Sequence, residues 1–73
     1  MIKLYSKPNC MQCEFTKKYL NDKGVAFEVI DVFEDKEALS MLIDEGYSNM
    51  PVVDIGGEFH TGFRPDLLAK AVG

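Results

Sequence analysis

The stretch Cys10-Met11-Gln12-Cys13 contains both cysteines of a chain of 73 residues. It lies between a short apolar run, residues 1–5, and a helix-like segment, residues 11–23. Two thiols at this spacing, after a strand and at the start of a helix, indicate a reversible dithiol–disulfide couple. A bridge between them would close a ring of only four residues, which constrains the unfolded chain very little. We therefore interpret the pair as chemical rather than structural.

Length and composition predict a single domain over residues 1–73, because 47% of the side chains are hydrophobic and one core suits this size. The net charge of −4 is uneven: residues 1–23 carry +3 and residues 24–73 carry −7. The cysteines lie in the basic part, where positive potential favours a thiolate. The acidic balance argues against nucleic-acid binding. The sequence contains no apolar run long enough for a membrane span or for a signal peptide, so a cytoplasmic location is expected.

Apolar periodicity and turn residues predict the order strand, helix, strand, helix, strand, strand, helix. The predicted segments are strand 1–5, helix 11–23, strand 25–30, a helix capped by residue 34 or 35 and running to about 45, strand 52–55, strand 58–60 and a helix from 65. Gly24 and Gly46 are expected to end the first two helices, and Gly56-Gly57 to form a hairpin turn. The first two strands are expected to be parallel, because a helix connects them.

One stripe of the first predicted helix is expected to face the core. Met11, Phe15 and Tyr19 recur at every fourth position, with Leu20 beside them. Apolar residues at this spacing are typical of the buried face of an amphipathic helix.

The position of the cysteines predicts different roles for the two thiols. Disulfide exchange needs a thiolate, and a helix N-terminus stabilises an anion placed there. Cys10 falls at that end, with Lys7 close in sequence, and cysteines in such settings have pKa values lowered to roughly 3.5–7.5. We expect Cys10, partly exposed, to attack a partner disulfide, and Cys13, more shielded, to resolve the mixed disulfide. Met11 and Gln12 lie in the ring and are expected to tune its potential.

Two other interpretations of the cysteine pair stay open at this point. Half of a zinc or iron–sulfur site is one, but zinc takes four ligands, and His60 is the only other classical ligand besides carboxylates. An inert, buried pair of thiols is the other, which the turn before the helix disfavours. No metal is expected, and His60 is interpreted as a surface or strand-end residue. General frequencies favour a trans peptide bond before Pro51, which opens a strand.

Three further patterns occur together along the chain. They are Tyr5-Ser6-Lys7-Pro8-Asn9-Cys10-Met11-Gln12-Cys13, then Gly46-Tyr47 followed by Met50-Pro51-Val52-Val53, and then Gly62-Phe63-Arg64-Pro65-Asp66. In this order they resemble the NrdH-redoxins, small glutaredoxin-like members of the thioredoxin superfamily. The resemblance implies an α/β thioredoxin fold, with a four-stranded mixed sheet flanked by three helices in the order βαβαββα. It also implies that Pro51 is a cis proline facing the cysteines.

The resemblance implies a function as well. The family delivers electrons to class Ib ribonucleotide reductase and takes them from NADPH through thioredoxin reductase. Catalysis is expected at Cys10 and Cys13, and the backbone of Met50 is expected to pair with the partner's chain as an added strand. The residues expected to contact partners are Lys7, Met11, Gln12, Met50, Pro51, Gly62, Phe63 and Arg64. A monomer is expected, with no cofactor besides the redox-active disulfide and with neither nucleic acid nor membrane as partner.

One segment departs from the family pattern, and it bears on the choice of electron donor. His60-Thr61 stands where members often have Trp-Ser, in a region thought to contribute to the reductase-facing surface. Glutaredoxins typically have two glycines and acidic residues near this point, which hold the γ-glutamyl end of glutathione. Here Gly62 is followed by Phe63-Arg64-Pro65, and Pro65 lacks a backbone N–H. Weak use of glutathione is expected, and the alternative is a glutathione-dependent dithiol glutaredoxin.

Overall fold

The computed structural model describes residues 2–72, without the side chain of Val72, and contains seven strands and helices in that range. They are β1 (Ile2–Ser6), α1 (Met11–Asp22), β2 (Phe27–Asp31), α2 (Lys36–Asp44), β3 (Val52–Ile55), β4 (Glu58–Thr61) and α3 (Pro65–Val72). The predicted order βαβαββα is confirmed. The prediction that the first strand begins at Met1 lies outside the described residues.

The four strands form one mixed sheet in the order β2-β1-β3-β4. β1 runs parallel to β2, as predicted for two strands joined through a helix, and it pairs antiparallel with β3. β3 pairs antiparallel with β4 through the Gly56-Gly57 turn. Because Tyr5 lies opposite Val52, the residues just before β3 lie at the same end of the sheet as the turn that leads from β1 into α1. That end of the sheet carries the cysteines.

Apolar residues cover both faces of the sheet. On the first face, α1 and α3 bury a cluster made of Ile2, Leu4, Leu20, Val53 and Leu68. On the second face, α2 covers a cluster made of Tyr5, Val32, Leu42 and Val52. Successive residues along β1, and likewise along β3, therefore point to opposite faces of the sheet, as the alternation of side chains along a strand requires.

The prediction that one stripe of α1 faces the core is confirmed for Leu20, while Met11 and Phe15 depart from it. Met11 is 71% exposed and Phe15 is 50% exposed, while Tyr19 is half-buried. The buried residues of α1 are instead Cys13, Thr16 and Leu20. These positions follow the spacing i, i+3, i+7, which also defines a single helix face. The helical period gives the spacing of a face but not which of two adjacent stripes meets the sheet, and here the small residues Cys13 and Thr16 meet it.

The predicted helix ends are confirmed, with one consequence for the second strand. The backbone N–H groups of Gly24 and Val25 donate to the carbonyls of Asn21 and Leu20, at 3.0 and 3.1 Å. Because Val25 is used to close the end of α1 in this way, β2 begins two residues later than predicted, at Phe27.

The second helix has the predicted cap at each end. Asp35 Oδ1 accepts a hydrogen bond from the Ala38 backbone N–H at 3.1 Å, which satisfies a free donor at the start of α2. At the other end Gly46 has a φ of +93°, a conformation that glycine adopts without a steric penalty.

Candidate active site

Cys10 is the residue that caps the N-terminus of α1. Its backbone is extended, with φ −111° and ψ 105°, and it follows Asn9, which turns the chain at a φ of 58°. The Sγ atom of Cys10 accepts a hydrogen bond from the Cys13 backbone N–H at 3.2 Å. A sulfur atom thus satisfies a free donor that a Ser, Thr, Asp or Asn side chain usually satisfies at a helix start. The predicted place of Cys10 at the helix N-terminus is confirmed.

The two cysteines are joined by a disulfide and differ in exposure. Their Cα atoms lie 5.2 Å apart. Cys10 is 9% exposed, whereas Cys13 is 0% exposed. A surface depression of about 450 Å³ lies beside Cys10 and is lined also by Asn9, Met11 and Glu14. Cys13 is shielded by the fold, as predicted, whereas Cys10 is more buried than predicted and reaches the surface only beside this depression.

The lysines of α1 are mostly engaged by neighbouring carboxylates. Lys17 Nζ lies 3.2 Å from Glu14 Oε1, and Lys18 Nζ lies 3.1 Å from Asp22 Oδ2. Lys7 is exposed in the turn before the first cysteine. These pairs reduce the positive potential expected from the first 23 residues.

Thr16 supports the cysteine ring from inside the fold, and the sequence patterns do not single it out. Its side chain is fully buried, and its Oγ1 donates a hydrogen bond to the Gln12 carbonyl oxygen at 2.9 Å. The available signal was its position three residues after Cys13, which places both residues on one helix face.

Pro51 lies at the cysteine end of the sheet, and the peptide bond between Met50 and Pro51 is cis. The cis bond that the family resemblance implies is thereby confirmed, and the expectation of a trans bond from general frequencies is wrong. Pro51 is buried, and its carbonyl oxygen accepts a hydrogen bond from the Gly62 N–H at 2.9 Å. Met50 is half-buried and packs against the second cluster, beside Tyr47.

The segment between β4 and α3 joins this site from the far end of the chain. The Phe63 backbone N–H donates to Gln12 Oε1 at 3.3 Å. The Phe63 ring packs against the rings of Phe15 and Tyr19, with centroids 6.0 and 6.1 Å away. Gln12, Gly62 and Phe63 are therefore brought together as one group, although they are widely separated in sequence.

Arg64 extends this group into solvent. Its guanidinium lies against the Asp66 carboxylate, with Nη2 to Oδ2 at 3.1 Å and Nε to Oδ1 at 3.3 Å. The hydrogen bond from Arg64 lowers the pKa of Asp66, against an opposing effect of desolvation and with help from the Leu67 backbone N–H. The same hydrogen bond and the negative charge of Asp66 raise the pKa of Arg64.

Two classes of feature are missing from residues 2–72. No helix in this range is both long and apolar enough to cross a membrane. In the same range no three side chains of His, Cys, Asp or Glu lie close enough together to hold a metal ion.

A redox-active pair of cysteines at the start of the first helix, on a four-stranded mixed sheet with three helices, defines a thiol–disulfide oxidoreductase of the thioredoxin fold. The family model for glutaredoxin matches residues 2–60. The chain belongs to the glutaredoxin family, and within it to the NrdH-redoxins.

Individual relatives support this assignment over almost the full length. The glutaredoxin-like protein NrdH of Lactococcus lactis is 40% identical over 70 residues, which are 96% of this chain and 97% of that protein. The structure of Escherichia coli NrdH-redoxin, described as having a thioredoxin-like activity profile, superposes with a TM-score of 0.91 at 36% identity and covers 94% of this chain and 91% of that one. A glutaredoxin-like protein of 8.6 kDa from the rubredoxin operon of Clostridium pasteurianum is 37% identical over 73 residues, or 99% of this chain and 97% of that protein.

Proposed function

We propose that this protein carries electrons from NADPH and thioredoxin reductase to a disulfide of class Ib ribonucleotide reductase. The NrdH relatives support the proposal. One structural observation also supports it, because it favours thioredoxin reductase over glutathione as the electron donor. That observation is the segment leading into α3, where Pro65 has no backbone N–H and the N–H groups of Gly62 and Phe63 are already engaged.

Four residues in and just before the first turn of α3 are expected to disfavour a bound carboxylate. Pro65 has no backbone N–H. The N–H of Gly62 donates to the Pro51 carbonyl, and the N–H of Phe63 donates to Gln12. Asp66 places its own carboxylate in the first turn of α3, where it is ionised more readily than usual because Arg64 lowers its pKa. A second carboxylate at this helix start would meet a like charge and few free donors, so glutathione is expected to bind weakly.

The electron transfer itself proceeds by two thiol–disulfide exchanges. The Cys10 thiolate attacks one sulfur of the partner disulfide, forms a mixed disulfide and expels the other partner sulfur as a thiolate. The Cys13 thiolate then attacks Cys10 Sγ, which forms the Cys10–Cys13 disulfide and releases the partner as a dithiol. Two electrons and one proton from NADPH, passed through the reductase, together with one proton from solvent, restore both thiols. The Cys13 N–H, 3.2 Å from Cys10 Sγ, favours the negative charge on that sulfur in each direction.

Residues around the sulfurs are proposed to contact the partner. We propose that the backbone of Met50, in the loop just before β3 at the cysteine end of the sheet, pairs with an extended partner chain. Met11, 71% exposed beside Cys10, supplies apolar contact, and Lys7 supplies charge. We propose that Arg64 and the half-buried ring of Phe63 contact the reductase. Cytoplasmic location, a monomeric state and the absence of a cofactor beyond the disulfide stay predictions from the sequence.

The decisive experiment compares two sources of electrons for the same oxidised protein. One reaction contains NADPH and thioredoxin reductase; the other contains NADPH, glutathione reductase and glutathione. NADPH consumption is followed at several protein concentrations, with Cys10→Ser as the inactive control. We expect saturable turnover with thioredoxin reductase and little with glutathione. Turnover with glutathione alone would overturn the proposal and identify a glutathione-dependent dithiol glutaredoxin.

A second measurement tests the electron acceptor. The protein is reduced, freed of small thiols and mixed with a class Ib ribonucleotide reductase and a ribonucleoside diphosphate. We expect one deoxyribonucleotide for each reduced protein molecule, and none with Cys10→Ser. Failure with an enzyme that is active with dithiothreitol would contradict the assignment of this acceptor.

A further inference from the structure

The side chain of Gln12 links the cysteine ring to the segment that follows β4. The Phe63 backbone N–H donates to Gln12 Oε1 at 3.3 Å, across 51 positions of sequence. The same oxygen lies 3.3 Å from the point where a Cβ atom on residue 62 would stand. Gly62 therefore leaves room for the amide, and its φ of +77° turns the chain so that the next N–H points at it. Two independent features of the backbone thus fit around one oxygen atom.

Both ends of this link are anchored. At the first end, the Gln12 carbonyl accepts the hydrogen bond from the buried Thr16, so the backbone of Gln12 is held in the first turn of α1. At the second end, the Phe63 ring rests on Phe15 and Tyr19. The ring contacts hold Phe63 on the middle of α1. The hydrogen bond to Gln12 ties the backbone of Phe63 to the cysteine ring. It therefore also fixes the position of the next residue, Arg64.

We propose that Gln12 is a positioning residue that holds the segment Phe63-Arg64 beside Cys10 and thereby sets recognition of the electron-donating reductase. The inference rests on the proposed function, because it takes this segment as the surface that the reductase contacts. Gln12 takes no part in the sulfur chemistry on this view. It presents the attacking sulfur and the contact residues as a single rigid surface.

Loss of the hydrogen bond between Gln12 and Phe63 is expected to raise the KM of the reductase for this protein and to leave kcat nearly unchanged. The hydrogen bond is exposed to solvent, so water can replace Gln12 as the partner of the Phe63 N–H when the amide is removed. The folded protein and the Cys10 sulfur are then little changed, but the segment must be ordered when the reductase binds. A single neutral hydrogen bond corresponds to about two- to tenfold in an equilibrium constant. We expect KM for the reductase to rise by that factor, with kcat within about twofold of wild type.

Three variants test the proposal on the whole chain. Gln12→Met keeps the length of the side chain and removes the strong acceptor. Gln12→Glu keeps an acceptor oxygen and is used for the amide measurement alone, because its charge lies close to the sulfur. Ser40→Ala, at an exposed position of α2, is the matched control.

Three measurements are made, and Gln12→Glu enters only the first of them. Hydrogen exchange of the Phe63 amide, followed by NMR in the disulfide form, is expected to speed up by about two- to tenfold in Gln12→Met and to stay near wild type in Gln12→Glu. Steady-state kinetics with thioredoxin reductase give KM and kcat. The reaction of the reduced protein with 5,5′-dithiobis(2-nitrobenzoate), which is too small to need the segment, is expected to change less in Gln12→Met than the KM of the reductase for the protein does. Ser40→Ala is expected to match wild type throughout.

Several results would overturn the proposal. A wild-type KM in Gln12→Met does so whatever the amide exchange shows, and so does loss of amide protection in Gln12→Glu. A parallel fall in kcat and in the reaction with the small disulfide would place Gln12 in the sulfur chemistry instead. If the reductase does not reduce the wild type at all, the proposed function fails and the inference fails with it. If it reduces wild type and Gln12→Met equally well, the inference fails alone.

Discussion

The aromatic contact between Phe15 and Phe63 is expected to contribute measurably to stability, although Phe15 lies half in solvent. The two ring centroids are 6.0 Å apart, and Phe63 also meets Tyr19 at 6.1 Å. Aromatic pairs at such distances contribute about 0.5–1.5 kcal/mol each beyond area burial. We therefore expect Phe15→Ala, which loses one pair, to lower the free energy of unfolding by at least about 0.5 kcal/mol, and Phe63→Ala, which loses two pairs, by at least about 1 kcal/mol, with the lost burial of each ring in addition.

The double variant separates the pair itself from the rest of each side chain. Urea unfolding of the disulfide form, followed by circular dichroism, gives the free energy of unfolding for wild type, both single variants and the double variant. The coupling between Phe15 and Phe63 is expected to be about 0.5–1.5 kcal/mol. Phe33 is the matched control, because it is 59% exposed, follows the opposite edge strand β2 and belongs to none of the ring pairs seen in residues 2–72.

The result that refutes the reasoning is a coupling no larger than that of the control. Phe33→Ala and Phe63→Ala should be additive within about 0.3–0.5 kcal/mol, as distant sites usually are. If Phe15 and Phe63 are equally additive, the rings do not hold the Gly62–Arg64 segment on α1. A shift in the denaturant slope of any variant would instead point to a change in the unfolded chain.

Three further outcomes are expected from other parts of the structure. Gly46→Ala should lower the free energy of unfolding by about 1–2 kcal/mol through backbone strain alone, because its φ is +93° and no atom lies within 4 Å of the added Cβ; an unchanged urea midpoint would contradict this. The pKa of Asp66, read from an NMR titration, should lie below its usual range and should rise in Arg64→Gln. Any stability from this contact is therefore present above the pKa of Asp66 in the unfolded chain and is lost as the pH falls through its pKa in the folded protein. Identical titrations of wild type and Arg64→Gln would contradict the contact. Cys13→Ser should accumulate a mixed disulfide with its protein partner, seen as a heavier band without reductant, whereas Cys10→Ser should show none.

Local sequence patterns predicted the elements and their order because each boundary has a local cause. Asp35 caps α2, Gly46 ends it, and the two glycines between β3 and β4 form the hairpin turn. Cysteine placement was predictable for the same reason, since a strand, a turn and a helix start follow one another within a few residues. The parallel pairing of β1 and β2 followed from the helix that connects them.

Contacts between distant residues were not predictable in this way. The apolar spacing of α1 suggested that Phe15 faces the core, but its ring instead packs on Phe63, half in solvent. Thr16, which an apolar pattern does not count because it is polar, is one of the three residues that α1 buries. The hydrogen bond between Gln12 and Phe63 depends on where the chain returns after β4, which no local pattern encodes. The cis bond before Pro51 followed from resemblance to a family, against the general frequency.

The hydrogen bond from the Cys13 N–H to Cys10 Sγ comes from the main chain, and this limits how the site can be altered. Every residue except proline supplies the same N–H at position 13, so the donor depends on where the helix begins and not on which side chain stands there. Residues 11 and 12 can therefore be exchanged to adapt the ring to other partners without dismantling the anion site, as long as the helix still starts at residue 11. Recognition and reactivity at this site are in that sense separately adjustable.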